Sequence, residues 1–391
     1  MVEFGRSARP AEFDCLHIAP QGAIFISSDM KSLSGFSRWL PSLALSLLLA
    51  ACAANTDQRA AAIKPDPGKN ADPTRISFQL PQAWGGAVQC LEGQNCYLIA
   101  VEHELSQLVL MEFDNGKAVV RDKQPLGYHP DSAIWLAPNL VVAAVETGGT
   151  LDFFTVDNHQ LRKIDAQGVG FSPRDVVLAA NAGSSYTLLA TPYSGKHVSW
   201  LTWDQKNPGQ STLNRTFWCE APWHPVHVKQ LPPNRGPGIA VACLDDKKVI
   251  AVPATNLQTT PEVLATFDVI PRQAKPSPSG RWLYVALETG GKNARIDMHT
   301  GELQFIQGDP RGASSVLALA DDLVIWGDSQ RLTLQKLDTQ GQVLDTREIK
   351  TSGYSTELQL HDINRDGVQD LLVLNSTGET ADVIFGPIWK D

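Results

Sequence analysis

The sequence lacks the features that define several common classes of protein. No run of basic residues occurs in its 391 positions, and 33 lysines and arginines are outnumbered by 42 aspartates and glutamates. A nucleic-acid partner is therefore not expected, because binding to phosphates requires a positively charged surface. The motifs G-x-S-x-G, H-E-x-x-H, the Walker loop and C-x-x-C-H do not occur either. The sequence thus gives no direct indication of catalysis.

The sequence also lacks an apolar run long enough for a transmembrane helix. The apolar segment at 39–51 has about a dozen residues, whereas a spanning helix needs about 20. It follows an internal Met30 and two basic residues, Lys31 and Arg38, and it ends in small residues before Cys52. A basic start, a short apolar run and a small-residue cleavage site are typical of a signal peptide.

The residues Leu-Ala-Ala-Cys at 49–52 resemble the bacterial lipobox. The resemblance implies that Cys52 carries a lipid and begins the mature chain, and Ala53 after it favours the outer membrane. An ordinary secretory signal is the alternative. We expect an over-extended start at 1–29, a lipoprotein signal peptide at 30–51, a flexible tether at 52–74 and a folded domain at 75–391.

Cysteine is scarce, and its count fits an exported protein. Of six cysteines, one lies upstream of the signal and one is Cys52, which leaves Cys90, Cys96, Cys219 and Cys243. An even number is typical of disulfides in an oxidising compartment. Three pairings are possible, with four free thiols as the alternative. Nearness along the chain favours Cys90 with Cys96 and Cys219 with Cys243, the latter contributing roughly 3 kcal/mol.

Helical periodicity is almost absent after residue 75, where short apolar runs alternate with turn residues. A proline recurs every 39 to 52 residues, at Pro81, Pro130, Pro173, Pro225, Pro271 and Pro310. A seventh unit begins at Tyr354 without a proline. Turns containing aspartate keep the same phase, at Asp114, Asp157, Asp204, Asp297 and Asp338. Repeats of this length in a β sequence indicate a propeller.

Each unit has room for four strands, so we predict an all-β fold, a seven-bladed β-propeller of four-stranded blades. The seventh unit supplies only three strands, and "ISFQL" at 76–80 is expected to provide the fourth and close the ring. Six or eight blades are the alternatives. The segment "SPSGRWLYVA" at 277–286 resembles the hairpin of YVTN-type propellers, which supports the architecture and implies no activity.

The segment "HDINRDGVQDLLVLN" carries oxygen ligands at alternate positions. The predicted ligands are the side chains of Asp362, Asn364, Asp366 and Asp370 and the carbonyl of Val368. Hard oxygen ligands around a glycine turn suit Ca²⁺. The pattern D-x-N-x-D-G-x-x-D-L resembles the FG-GAP or VCBS repeat, which implies a calcium loop between the first two strands of a blade. An ordinary turn that binds nothing is the alternative.

Charged and aromatic residues recur in the loops that lead into each blade, and such loops surround one end of a propeller. The candidate ligand-binding residues of this funnel are His129, Asp131, Arg174, His224, Arg272 and Arg311. They could bind an anionic group or an acidic peptide; solvated loop charges are the alternative. His129 with Asp131, or His224 with Glu220, could form an acid–base or metal site.

Together these features predict a calcium-braced propeller that acts as a binding or scaffolding lipoprotein. The expected location is the outer membrane, with a lipid anchor, on its periplasmic or outer face. The expected partner is an envelope protein or an anionic ligand. A lactonase-like hydrolase that uses the loop histidines and a subunit of an envelope assembly complex are the alternatives.

Overall fold

The computed structural model describes residues 75–114, 116–193, 195–290, 292–307 and 312–389. Within these residues the protein is all-β, with seven four-stranded antiparallel sheets. No helix in this part of the chain is long and apolar enough to cross a membrane. The segments predicted at 1–29, 30–51 and 52–74, including Cys52, lie outside the described residues, as do Pro310 and Arg311.

Each sheet is one blade, and in blades 1 to 6 the strands lie in chain order from the axis outward. Blades 1 to 3 contain β2 (Ala83–Cys90), β3 (Cys96–Glu102), β4 (Gln107–Asp114) and β5 (Lys117–Pro125); β6 (Pro130–Ala137), β7 (Leu140–Val145), β8 (Thr150–Asp157) and β9 (Gln160–Gly168); and β10 (Pro173–Ala182), β11 (Ser185–Pro192), β12 (His197–Asp204) and β13 (Ser211–Phe217).

Blades 4 to 6 follow the same order. They contain β14 (Pro222–Val228), β15 (Gly238–Cys243), β16 (Lys248–Pro253) and β17 (Glu262–Thr266); β18 (Pro271–Pro276), β19 (Trp282–Leu287), β20 (Lys292–Asp297) and β21 (Leu303–Gln307); and β22 (Ser315–Ala320), β23 (Leu323–Gly327), β24 (Arg331–Leu337) and β25 (Val343–Lys350). Blade 7 contains β26 (Ser355–His361), β27 (Asp370–Asn375), β28 (Thr380–Ile384) and β1 (Arg75–Gln79).

The hydrophobic core lies between neighbouring blades. Every residue of the second strands β7, β15, β19 and β27 is buried. These strands read as continuous apolar runs because a neighbouring blade covers each face. The outermost strands β9 and β13 are largely exposed. The innermost strands contact one another in sequence around the ring, and β2 contacts β26 to complete it.

The first strand closes the ring. β1 pairs antiparallel with β28, with Arg75 opposite Ile384 and Ser77 opposite Asp382. The prediction of seven blades closed by "ISFQL" is therefore confirmed. Asp382 is fully buried and lies 2.7 Å from Nη2 of Arg75, so an ion pair reinforces the pairing of the two chain ends.

Two details of the repeat pattern are now defined by the strands. Pro130, Pro173 and Pro271 each begin an innermost strand, a position where the missing N–H costs no ladder hydrogen bond. The marker proposed for the fourth unit, Pro225, is wrong, because Pro225 lies inside β14 and Pro222 begins that strand. The sequence contains both prolines three residues apart, and spacing alone does not separate them.

Both predicted disulfides are confirmed. Cys90 is bonded to Cys96 across the β2–β3 hairpin of blade 1. Cys219 is bonded to Cys243, which joins the segment between blades 3 and 4 to the end of β15. The second bridge is fully buried in an apolar cluster with Trp218.

Candidate functional site

The candidate site is the end of the propeller where the chain enters each blade. We call the segment before each innermost strand the lead-in loop and the segment between the second and third strands the corner loop. In this topology both kinds of loop lie on the same face, which we call the lead-in face. A cavity of about 340 Å³ runs along the axis and is lined by residues of all seven blades.

A repeated backbone irregularity directs side chains into this cavity. The register of the innermost strand shifts near its start in six of the described blades, between Pro130 and Ser132, for example, and between Pro271 and Gln273. The side chains at or beside these shifts line the cavity: Trp84, Asp131, Arg174, His224, Arg272 and Thr356. Bulges re-aim side chains in this way. Four predicted funnel residues are thereby brought together.

Arg174 lies at the centre of a polar cluster in the cavity wall. Its Nε lies 3.2 Å from Oδ2 of Asp131, and its Nη2 lies 3.0 Å from Oε2 of Glu146. Its guanidinium also lies 3.8 Å from the ring centroid of Tyr193 and 5.5 Å from that of Trp223. Two carboxylates therefore neutralise the charge of Arg174, and two aromatic rings fix its plane.

Next to this cluster, two histidines stack against each other. The rings of His103 and His129 are 4.3 Å apart and nearly parallel, with Trp84 beyond His103 and Tyr128 beyond His129. Nδ1 of His103 lies 3.1 Å from Oδ1 of Asp131. The prediction paired His129 with Asp131, but the structure pairs Asp131 with His103 and Arg174 instead.

Burial and pairing act together on these groups. Burial raises the pKa of the Asp131 carboxyl above its ordinary value, although His103 and Arg174 oppose the shift. Burial by itself lowers the pKa of His103, but the hydrogen bond and charge of Asp131 more than compensate, so that the pKa is raised. In each group burial favours the neutral form, and the pairing of His103 with Asp131 favours the charged form.

The other half of the cavity also contains paired charges. Nδ1 of His224 lies 2.8 Å from Oδ2 of Asp175, which corrects the predicted pairing of His224 with Glu220. Nζ of Lys275 lies 3.1 Å from Oε1 of Glu357. Burial by itself lowers the pKa of Lys275, but the charge of Glu357 and the hydrogen bond to it outweigh burial, so the pKa is raised and Lys275 is charged at neutral pH.

Two of the arginines that were predicted to bind an anion lie among acidic and aromatic side chains. Arg174 is neutralised, Arg311 lies outside the described residues, and Arg272 lies 4.8 Å from the ring centroid of Trp223. The cavity wall carries both acidic and basic groups. The cavity wall is therefore an aromatic and arginine-rich surface and not a purely basic anion-binding site.

The residues that sequence reasoning missed lie at one repeated position. In six blades the last lead-in residue accepts a hydrogen bond at its carbonyl from the residue that follows the second strand, as His129 does from Glu146. The donors are His103, Glu146, Tyr193, Leu244, Glu288 and Ser376. Each follows an apolar second strand directly, so the end of that strand is the sequence signal that could have found them.

The lead-in face also carries exposed apolar side chains over blades 1 to 3. Leu105 and Tyr193 lie on corner loops, and Tyr128 and Phe171 lie on lead-in loops; Phe171 is 89% exposed. The backbone N–H of Tyr193 donates to the carbonyl of Ser172, which ties the two kinds of loop together. A second cavity of about 180 Å³ opens between Phe171 and Pro192.

The predicted calcium loop lies at the opposite end of blade 7, between β26 and β27. Asp370 accepts backbone hydrogen bonds from Ile363, Asn364 and Gly386 at 2.8 to 3.2 Å. Oδ2 of Asp362 accepts one from Gly367 at 3.0 Å. The arrangement folds the loop back on itself as the sequence predicts.

Two observations bear on whether the loop fits a cation. Oδ1 of Asp362 is buried and has no hydrogen-bond partner, and a hard cation would satisfy such an oxygen. Asp366 and Asn364 are exposed and hydrogen-bond each other. The donor types therefore fit Ca²⁺. Among the described residues, however, the group of three titratable side chains with mutually close ligand atoms is His103, Glu104 and His129, and not this loop.

The 362–370 loop contacts the disulfide of blade 1. Sγ of Cys96 lies 3.6 Å from the carbonyl oxygen of Asp362, and Nη2 of Arg365 donates to the carbonyl of Leu91 at 2.7 Å. The two predicted braces are thus neighbours on either side of the ring closure.

Comparisons with known proteins define the fold and no family. No protein-family profile matches the chain, and no curated protein matches it in sequence. The chain is similar to the crystal structure of Saccharomyces cerevisiae Sqt1, with a TM-score of 0.55 and 8% identity over 74% of this chain and 81% of that one. Because 1075 solved chains match, fold similarity does not single out a function.

Proposed function

We propose that this protein is a protein-binding or scaffolding propeller of the bacterial envelope, and that its lead-in face binds the partner. The observation that carries the proposal is the concentration of exposed apolar side chains on that face. Leu105, Tyr128, Phe171 and Tyr193 are all exposed there. Clusters of exposed apolar residues mark interaction surfaces.

The composition around this patch supports the same proposal. Tyr193 stacks on Arg174, and Trp223 lies beside both Arg174 and Arg272. Tryptophan, tyrosine and arginine are the residues that most often dominate binding energy at protein interfaces. Their side chains are already ordered by stacking and ion pairing, so binding would cost little conformational entropy.

The partner is a protein segment that presents an apolar or aromatic side chain. The cavity of about 180 Å³ beside Phe171 and Pro192 has the size of one such side chain. The partly neutralised arginines make an apolar anchor a better match for this surface than a purely anionic ligand. Electrostatic pairing at the cavity would then set orientation more than affinity.

Site-specific photo-crosslinking in intact cells tests the proposal. A photoreactive residue at position 171 should give a discrete crosslinked partner, and Phe171→Ser should weaken recovery of that partner. Leu344→Ser is the matched control, because Leu344 is 64% exposed but lies on the outermost strand β25. Equal crosslinking from positions 171 and 344, or recovery unaffected by Phe171→Ser, would contradict a binding role for the lead-in face.

The proposal includes a lipid anchor on Cys52, which rests on the lipobox resemblance. Cys52→Ser should move the protein from the membrane fraction to the soluble fraction and abolish incorporation of a labelled fatty acid. Unchanged fractionation of the variant, together with an unacylated Cys52 in the wild type, would remove the anchor from the proposal.

The proposal also includes Ca²⁺ in the 362–370 loop, supported by the oxygen donors and the unpartnered Oδ1 of Asp362. If Ca²⁺ binds the folded state and not the unfolded state, it would stabilise the folded state by about 2.7 kcal/mol at a hundredfold excess over Kd. Addition of Ca²⁺ to the metal-free protein should raise the melting temperature, and Asp366→Ala should remove the response. Asp338→Ala is the control: Asp338 caps a turn by accepting from Gln340 and Gln342, so its loss leaves the calcium response intact. A melting temperature that does not respond to Ca²⁺ would exclude the site.

A further inference from the structure

Two histidines and a glutamate converge at the rim of the axial cavity. His103 and Glu104 lie on the corner loop of blade 1, and His129 ends the lead-in loop of blade 2. Their ligand atoms all lie within 4.8 Å of one another. Nε2 of His103 and Nε2 of His129 lie 3.8 Å from Oε1 and Oε2 of Glu104, respectively.

These distances are close to those of a metal site. Around a tetrahedral Zn²⁺ with bonds of about 2.1 Å, neighbouring ligand atoms are about 3.4 Å apart. The two nitrogens are 3.8 Å from the carboxylate. Because the lone pair of an imidazole nitrogen lies in the ring plane, the two stacked rings would have to tilt out of their parallel arrangement for both nitrogens to reach one ion. Glu104 is exposed and can rotate toward that ion.

The nitrogen of His129 that would bind the metal has no other role. Nε2 of His129 is buried and has no hydrogen-bond partner. A buried polar atom without a partner is destabilising. The φ of 54° at His129 recurs at Gln82, Ser172 and Ala221, which also directly precede innermost strands, so this backbone conformation belongs to the repeat and is no evidence for the site.

A carboxylate lies beside the second nitrogen of each histidine. Nδ1 of His103 lies 3.1 Å from Asp131, within hydrogen-bond distance, whereas Nδ1 of His129 lies 3.8 Å from Glu146, which is beyond it. Arg174 pairs with both carboxylates and so fixes their positions. Metal-binding histidines commonly donate their second nitrogen to a carboxylate, which fixes the ring and increases its basicity as a ligand.

We propose that His103, His129 and Glu104 form a binding site for a divalent transition metal ion of the Zn²⁺ type. Imidazole and carboxylate ligands suit Zn²⁺ and its neighbours, whereas Ca²⁺ prefers oxygen ligands alone. Three protein ligands leave a coordination position open toward the lead-in face. The site is separate from the 362–370 loop and does not depend on the proposed protein partner.

The test uses the full chain without a polyhistidine tag, stripped by chelation and then titrated calorimetrically with Zn²⁺ and, separately, monitored by the visible spectrum of Co²⁺. We expect one equivalent bound at the site and its loss in His129→Ala and in Glu104→Gln. Glu104→Gln keeps the test valid if a histidine variant misfolds, because Glu104 is exposed. Asp131→Asn should weaken binding by about 10- to 100-fold while retaining the Co²⁺ spectrum.

His159→Ala is the matched control. His159 is exposed and lies 3.7 Å from Glu112. Among the described residues, no second histidine joins this pair to form a group of three ligands. The variant should bind Zn²⁺ as the wild type does. Binding that persists in both His129→Ala and Glu104→Gln, or that Ca²⁺ displaces, would overturn the proposal and leave the stacked rings with a packing role only.

Discussion

The buried ion pair at the ring closure makes a quantitative prediction. Asp382 on β28 is fully buried, and all its described partners are donors. Oδ1 accepts from Nε of Arg75 at 3.2 Å and from Oγ of Ser77 at 2.6 Å. Oδ2 lies 3.4 Å from Oγ of Ser352. Asp382→Asn would place an amide N–H₂ among these donors and remove the negative charge.

The expected loss of stability follows from the contacts of the pair. Breaking a buried ion pair costs about 3 to 5 kcal/mol. The side chain of Arg75 is 21% exposed and keeps some contact with water, so the lower end of this range applies. We expect Asp382→Asn to lower the free energy of unfolding by about 3 kcal/mol, a large part of the typical 5 to 15 kcal/mol of a domain.

Urea denaturation combined with hydrogen exchange measures this effect. The double variant Arg75→Met with Asp382→Asn should lose less than the sum of the single variants, by about 1 to 3 kcal/mol, because the two side chains contact each other. The amides of β1 should exchange faster in each variant, since β1 is held at the closure. Asp152→Asn, which removes the ion pair of Asp152 with Lys163 inside blade 2, is the control and should leave β1 exchange unchanged.

A coupling energy below about 0.5 kcal/mol, the level at which independent sites add, would refute the reasoning. Unchanged exchange of the β1 amides in Asp382→Asn would refute it as well, because the ion pair would then not secure the closing strand.

The remaining predictions concern a buried tyrosine and a disulfide. Burial raises the pKa of Tyr284 from 10.0 to about 12, so the unfolded chain loses this proton first and stability falls as the pH rises from 10 to about 12, by at most about 3 kcal/mol. Tyr284→Phe should flatten that fall in denaturation measured against pH, and an identical profile would contradict the assignment. Replacement of Cys219 and Cys243 by alanine should cost about 3 kcal/mol, measured by urea unfolding; a change below about 1 kcal/mol would show that the bridge does not restrict the unfolded chain.

Local patterns accounted for much of the architecture. The second strand of blade 2, "LVVAAV", is a continuous apolar run that is buried on both faces, and the outer strand β9 is largely exposed. Such patterns depend on residues that are near in sequence, so they can be read without a structure. The short separation of Cys90 from Cys96 likewise made their pairing predictable.

The partners within the site could not be predicted in the same way. His224 pairs with Asp175 across 49 positions, not with Glu220 four positions away, because the innermost strands of neighbouring blades face the same axis. Glu220 lies instead beside Lys196 of the preceding corner loop. Nearness along the chain is a poor guide where the ring brings separate repeats together.

The sequence by itself favoured seven repeats, the strands within them, the closing role of the first strand and the two disulfides over their alternatives. Each of these follows from a period, a run of apolar residues or a short separation. Only the tertiary structure decided that Arg174 joins Asp131 to Glu146, and that His103 and Glu104 meet His129. The physical reason is that bulges set the direction of each side chain and the closed ring sets which loops are neighbours.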